Sequence, residues 1–228
     1  MAPVPNPRKS LGKSLSAIIV LDDYERVSVT IFKTSKVLSF ARKVASGKLD
    51  INEEASQQAA LDSVVGLIAM EENSRCDAYE IKNAAADRGY GPGLYDVAMT
   101  FAQRDGYRGV TPDRDSVSED AERVWQYSLT RRDDIEATPL RGLLCGKHRG
   151  RDALNYVYGL KKPFKSYAGL LDRGRDLVEQ LKDIFADDPQ MAYHFLNSTR
   201  QMFWICKYGG FCPGPFPGAQ ETEKAGAA

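Results

Sequence analysis

The sequence predicts an α/β (α+β) fold: a mixed central sheet flanked by helices, with a helical hairpin appended on its C-terminal side. Three observations lead there. Short β-branched runs alternate with amphipathic helical stretches up to residue 162, a pattern that packs helices onto a sheet. A glycine-rich turn, Arg88-Gly89-Tyr90-Gly91-Pro92-Gly93, joins an apolar run to a helical one. From Ser166 to about Lys207 the pattern turns helical.

Residues 1–14, Pro-rich and basic, read as a flexible arm, and residues 15–162 as the main domain. Residues 17–21 and 27–32 are β-branched runs around Asp22-Asp23-Tyr24-Glu25, a hairpin signal with a longer loop. Val37, Leu38, Phe40, Ala41 and Val44 recur at helical spacing, and Gly47 stops that helix. Residues 53–61 are weakly helical. Residues 64–70 and 76–86 read as two strands paired across Glu71-Glu72-Asn73-Ser74. After the glycine turn, Leu94, Val97, Ala98, Phe101 and Ala102 mark the buried stripe of a helix that Asp105-Gly106 ends. Residues 107–111 form a short strand. Ser118 opens the next helix, with Glu119, Asp120 and Glu122 at its positive end and Ala121, Val124, Trp125 and Leu129 as its stripe. Residues 153–160 are an apolar, aromatic strand.

Residues 163–208 form the helical extension. Leu170, Leu171, Leu177, Val178, Leu181, Ile184 and Phe185 share one face. Asp188-Pro189 starts a second helix, a capping side chain followed by proline in the first turn. That helix carries Tyr193, Phe195, Leu196, Phe203 and Trp204. Residues 209–228, Gly/Pro-rich and then small and polar, read as a disordered tail.

Apolar residues make up 43% of the 228, enough to bury a core. Lys+Arg and Asp+Glu balance at 31 each, which argues against a nucleic-acid partner, because such proteins carry a basic excess. Cys76, Cys145, Cys206 and Cys212 form no C-x-x-C pair, and only His148 and His194 join them, so no metal site is expected. Cys206 and Cys212 are close enough in sequence to meet, but free thiols are the simpler expectation. No leader pattern opens the chain, and no apolar stretch nears the ~20 residues that span a bilayer. The expectation is a soluble protein of the reducing cytoplasm, off the membrane.

A strand, a glycine turn and a helix start in that order expose backbone N–H groups to an anion, and the helix N-terminus adds partial positive charge. A dinucleotide fingerprint needs G-x-G-x-x-G, and Gly89-x-Gly91-x-Gly93 has other spacing. A P-loop needs Lys-Ser/Thr after its last glycine, and none follows. The acyl-CoA loop of the GNAT acetyltransferases, R/Q-x-x-G-x-G/A, is met at Arg88, Gly91 and Gly93. The longer run from Gly89 through Leu94-Tyr95-Asp96-Val97-Ala98-Met99 resembles a group of GNAT-like proteins from phages and bacteria. Asp113-Arg114, Ser116-Val117-Ser118, Ala121, Val124-Trp125, Tyr127 and Leu154-Asn155-Tyr156-Val157-Tyr158 add to it. The likeness spans residues 64–160.

That resemblance implies a GNAT-like domain using acetyl-CoA as co-substrate. The backbone of Gly89, Tyr90, Gly91 and Gly93 would hold the pyrophosphate, with Arg88 beside it. The strand before the turn, with Ile81, Ala84 and Ala86, would pair with the pantetheine arm. A splay between this strand and residues 107–111 would admit the thioester. An amine attacks the thioester, a base takes its proton and an acid protonates the thiolate. Glu80, Asp113 and Tyr127 are the catalytic candidates. Glu80 alternates with Ile81, so one of the two points toward the cleft. Many GNAT proteins carry N-x-x-A-x-x-x-Y in the following helix; here Ser118-x-x-Ala121-x-x-x-Trp125 has Ser for Asn and Trp for Tyr. Tyr127 lies about 200° around the helix from Trp125. Tyr156 and Tyr158 are other candidate acids.

Plainer readings stand beside these. Asp113-Arg114 suits a local ion pair as well as catalysis, or Arg114 a phosphate counter-charge. Trp125 suits the core. Lys147-His148-Arg149-Gly150-Arg151 is a basic loop able to touch a phosphate. The first functional expectation is therefore an N-acyltransferase moving an acetyl group from acetyl-CoA to an unidentified amine. The alternative is a catalytically inactive scaffold serving as a structural or interaction protein of a phage particle or assembly, in host cytoplasm or virion. Its C-terminal helices would join copies of the chain or other proteins. A nucleobase-modifying enzyme on the same scaffold is a third idea, which the neutral charge disfavours.

Overall fold

The computed structural model of the chain describes residues 11–21, 26–51, 53–140, 145 and 150–208. Most of the expected arm, the loop at residues 22–25, residues 147–149 of the basic run, Cys212 and the expected tail lie outside the described residues.

Among the described residues the chain forms seven strands and six α-helices, a mixed α/β fold. β1 (Leu15–Leu21) and β2 (Arg26–Lys33) pair antiparallel. α1 (Thr34–Ala45) and α2 (Glu54–Ser63) precede β3 (Val64–Asn73) and β4 (Ala78–Ala86). α3 (Gly91–Arg104) crosses to β5 (Val110–Pro112), which lies parallel to β4. α4 (Glu119–Arg131) leads to β6 (Ile135–Pro139), and a 3-10 turn at Asp152–Leu154 leads to β7 (Tyr156–Leu160). α5 (Tyr167–Ile184) and α6 (Gln190–Tyr208) follow. The sheet order is β1-β2-β3-β4-β5-β7-β6.

Sequence spacing locates the helices well and the short strands less well. β5 begins later than expected because Tyr107 N–H closes α3 on Ala102 O, and Arg108 N–H bonds Asp77 O. β6 was not foreseen. Its five residues end in a proline, which suits its place at the edge of the sheet. The expected strand at residues 153–160 opens instead with the 3-10 turn.

The sheet is covered on both faces. Val27, Val29 and Ile31 of β2 face α3, against Leu94, Val97 and Met99. Phe32 and Leu67 face Val37, Phe40, Phe195 and Phe203 of α1 and α6. Each such fully buried Val, Leu or Phe contributes roughly 1.5–3 kcal/mol, and the weakly amphipathic α2 joins the same cluster through Ala60.

α5 lies along β1, the edge of the sheet. A Cβ on Gly174 would fall 1.9 Å from Ala17 O, so only glycine allows this approach. Arg173 Nε donates to Leu15 O at 2.7 Å. The Leu15–Ala17 end of that edge is thereby shielded from another strand. Both C-terminal helices thus share the core with the sheet. No helix among the described residues is long and apolar enough to cross a membrane.

The expectation of free thiols is corrected. Cys76, in the β3–β4 turn, and Cys145, between β6 and β7, are joined by a disulfide with Cα atoms 5.2 Å apart. Cys206 is disulfide-bonded as well. Local sequence carries no sign of a bond across 69 positions. The fold makes it, because β7 is close to β4 and packs Val157 against Cys76, Ala78 and Cys145. Such bonds persist in oxidising surroundings, so cysteine usage no longer argues for a reducing compartment. Cys76→Ser is expected to lower stability by about 4 kcal/mol, the chain-entropy value for a loop of this length. Urea unfolding against the oxidised wild type measures it; a loss under about 1 kcal/mol would mean the bond constrains nothing.

Candidate functional site

β4 and β5 pair only over Tyr79–Val110, Glu80–Thr111 and Ile81–Pro112. Pro112 has no N–H to extend the ladder. The chain then turns sharply, because Asp113 Oδ1 accepts from Asp115 N at 2.7 Å and Ser116 N at 3.2 Å. Ser118 caps α4 by accepting from Ala121 N. β4 runs on to Ala86 with no strand paired to that edge among the described residues. A cleft of about 640 Å³ opens between β4 and the N-terminal ends of α3 and α4.

The glycine turn closes one end of the cleft. Asp87 N–H bonds Val65 O, and Tyr90 N–H bonds Asp87 O at 3.0 Å, folding residues 87–90 into a turn. Gly89 takes φ +91°, which a side chain would strain. Pro92 sits in the first turn of α3, where its missing N–H costs nothing. Ile81, Ala84, Ala86, Arg88, Gly89 and Gly91 all line the cleft. Tyr90 and Gly93 do not; Gly93 is covered by Leu11, 3.0 Å from where its Cβ would stand. Lys207, at the end of α6, also lines this end.

The opposite end is built around a bulge. Met70 pairs with Ile81 and Ala69 with Asn83, leaving Lys82 as the extra residue of β4. Its ammonium meets Glu80 at 2.6 Å, Asp113 at 3.5 Å, and Glu71 and Asp115 at 3.9 Å. Asp113 lines the cleft with Lys82, whereas Glu80 does not. Glu80 is 5% exposed and accepts from Asn73, Lys82 and the Arg114 N–H. Of the alternating pair, Ile81 is the one in the cleft.

Trp125 is buried, edge-on to Tyr95 and 4.9 Å from the Tyr158 ring, and forms part of the cleft wall. Tyr127 does not reach the cleft lining. Tyr158 donates to Ala153 O, and burial pushes its hydroxyl far above the usual phenol value. Arg114 Nη1 donates to Leu154 O at 2.7 Å and to Thr111 Oγ1, so it braces β5 rather than the glycine turn. Sequence reasoning passed over Lys82, Tyr95 and Lys207. Tyr95, next to Leu94 on α3, was readable as a cleft candidate from the turn alone. Lys207 is placed by tertiary packing and was not.

The arrangement can hold an extended ligand along β4, with an anionic group at the glycine turn. Comparison with protein-family models, with curated proteins and with solved structures returned no match.

Burial alone would pull the Lys82 ammonium down, but its hydrogen bond to Glu80 and the charges of Glu80, Asp113 and Glu71 raise it above the ordinary 10.5. A raised folded-state value means the stabilisation is complete below the unfolded value and is lost as pH climbs through the folded one. Lys82→Met is therefore expected to cost about 2 kcal/mol at pH 7, between the values for exposed and buried pairs. In denaturant unfolding, the gap to wild type should narrow only above pH 10.5. A gap already closing near pH 8 would contradict this account.

Proposed function

We infer that the cleft takes an acyl-CoA and that the protein is a GNAT-like N-acyltransferase, with acetyl-CoA as co-substrate and an amine as acceptor. One observation carries this reading: the cleft runs along β4, past the end of its pairing with β5, and ends on the glycine turn. A ligand seated in that cleft lies beside the β4 strand, which suits an extended, amide-bearing chain such as pantetheine. The turn and the start of α3 offer N–H groups and dipole to a pyrophosphate. The thioester then lies toward the Lys82 bulge. Asp113, in the lining there, takes the proton of the attacking amine, directly or through water. The C–S bond breaks as the C–N bond forms. Tyr95, a tyrosine of the cleft wall, supplies the proton for the departing thiolate in place of the family's helix tyrosine.

Two variants test this. A Cβ on Gly91 meets nothing within 4 Å, and an acidic residue suits a helix N-terminus. Gly91→Glu should therefore melt like wild type yet lose at least about tenfold in acetyl-CoA affinity by calorimetry. Unchanged affinity would remove the turn from the ligand site. Tyr95→Phe should leave affinity intact and lower the acyl-transfer rate by about 100-fold. Wild-type protein that neither binds acetyl-CoA nor shifts its melting with it would defeat the enzyme reading.

A second reading has its own support. Trp125 fills the position of the family's tyrosine, and disulfides suit a protein that works outside a reducing cytoplasm. Both fit a scaffold kept as a structural or interaction protein, for example in a phage particle. Sedimentation as a stable assembly with no affinity for CoA would favour it.

A further inference from the structure

The cleft is electrically polarised along its length. Its bulge end holds Asp113 with Lys82, and its turn end holds Arg88 and Lys207. Asp120 also lines it, but its carboxylate is paired with Arg123 at 2.8 Å. At the turn end a single carboxylate gathers two lysines from distant parts of the chain. Asp87 Oδ1 meets Lys207 Nζ at 3.0 Å, and Oδ2 meets Lys33 Nζ at 3.4 Å. Lys33 ends β2, Lys207 lies in the last turn of α6, and Asp87 immediately precedes Arg88.

Two ammonium groups sharing one carboxylate leave net positive charge. Each ammonium has three donors, and Asp87 engages one of each. The two lysine side chains are 33% and 38% exposed, so an incoming anion reaches them without stripping a buried charge of its water. They are also held in place. Phe203, one turn before Lys207, is fully buried, and the Lys207 ammonium sits 5.6 Å from its ring centroid. Cys206 is tied by a disulfide. A cation fixed before the ligand arrives loses little entropy on binding.

We propose that Lys33 and Lys207, positioned by Asp87, form a phosphomonoester subsite beside the glycine turn. The cleft would thereby select an acyl carrier bearing a phosphate beyond its pyrophosphate, as the 3′-phosphate of CoA is. This rests on the acyl-CoA reading and adds a chain-specific contact to it: α6, outside the region that carries the glycine turn, supplies a cation.

The test is calorimetry on the oxidised full chain with CoA and with 3′-dephospho-CoA. Wild type should bind CoA about fivefold more tightly, the scale of a partly exposed ion pair. Lys207→Gln should shrink that preference and Lys33→Gln/Lys207→Gln abolish it, the readout being the ratio of the two affinities in each variant. Lys207→Arg should keep it. Equal wild-type affinities, or a preference that survives in the double variant, would overturn the subsite and leave the acyl-CoA reading standing. If neither ligand binds, that reading falls and the subsite with it.

Discussion

The three-residue pairing of β4 with β5 governs the rest of the molecule. Parallel strands this short contribute only a few backbone hydrogen bonds, each worth about 0.5–1.5 kcal/mol net. Longer pairing would add more, but Pro112 withholds a donor and Asp113 turns the chain away through its own carboxylate. The outcome is a cleft inside the sheet rather than at its rim. It is flanked by a helix N-terminus and two charged clusters. Forfeited sheet stability is thereby exchanged for an open cleft.

A splay of this kind persists only if α4 is held off β4, and buried polar contacts hold it. Arg132, following α4, donates to Asp96 of α3 at 2.8 Å, with the two side chains 7% and 0% exposed. Arg132 also pairs with Asp134 and so continues the connection into β6. At the other end of α4, Arg151 pairs with Glu122 and donates to Val117 O. Removing one partner of a buried pair costs about 3–5 kcal/mol, far more than one exposed pair contributes. Gln103 adds a further clamp from α3, bonding both the N–H and the C=O of Leu160 with its amide. The cleft walls are therefore set by side chains that never touch its contents.

Much of this was legible in the sequence, and the limits have physical causes. Periodicity located α1, α3, α4, α5 and α6, because each has a stripe fixed at 3.6 residues per turn. The glycine turn was legible because Gly89 needs positive φ and Pro92 suits a first helical turn. Asp113 was legible as a carboxylate at a strand end. What local pattern cannot carry is convergence. The Cys76–Cys145 bond spans 69 positions, and Asp87 meets Lys207 across 120. The Lys82 bulge is equally hidden, since one extra residue in a strand leaves composition unchanged. So is the placement of Glu80, whose partners come from β3, β4 and the segment after β5.

The C-terminal helices illustrate the gap between a sequence boundary and a physical one. Their stripes read as an addition to a finished domain. In the fold, Phe195 and Phe203 complete the cluster that covers Phe32 and Leu67, and Gly174 lies against β1. A segment that shares the core cannot be removed without exposing the sheet. The same packing fixes the end of α6 at the mouth of the cleft, because Phe203 is sealed one turn before Lys207. Core burial on one face of α6 thus sets the position of a cation at its end. Any change that loosens the helix should disturb the glycine-turn end of the cleft before it reaches the Lys82 end, which β3, β4 and Asp113 build without α6.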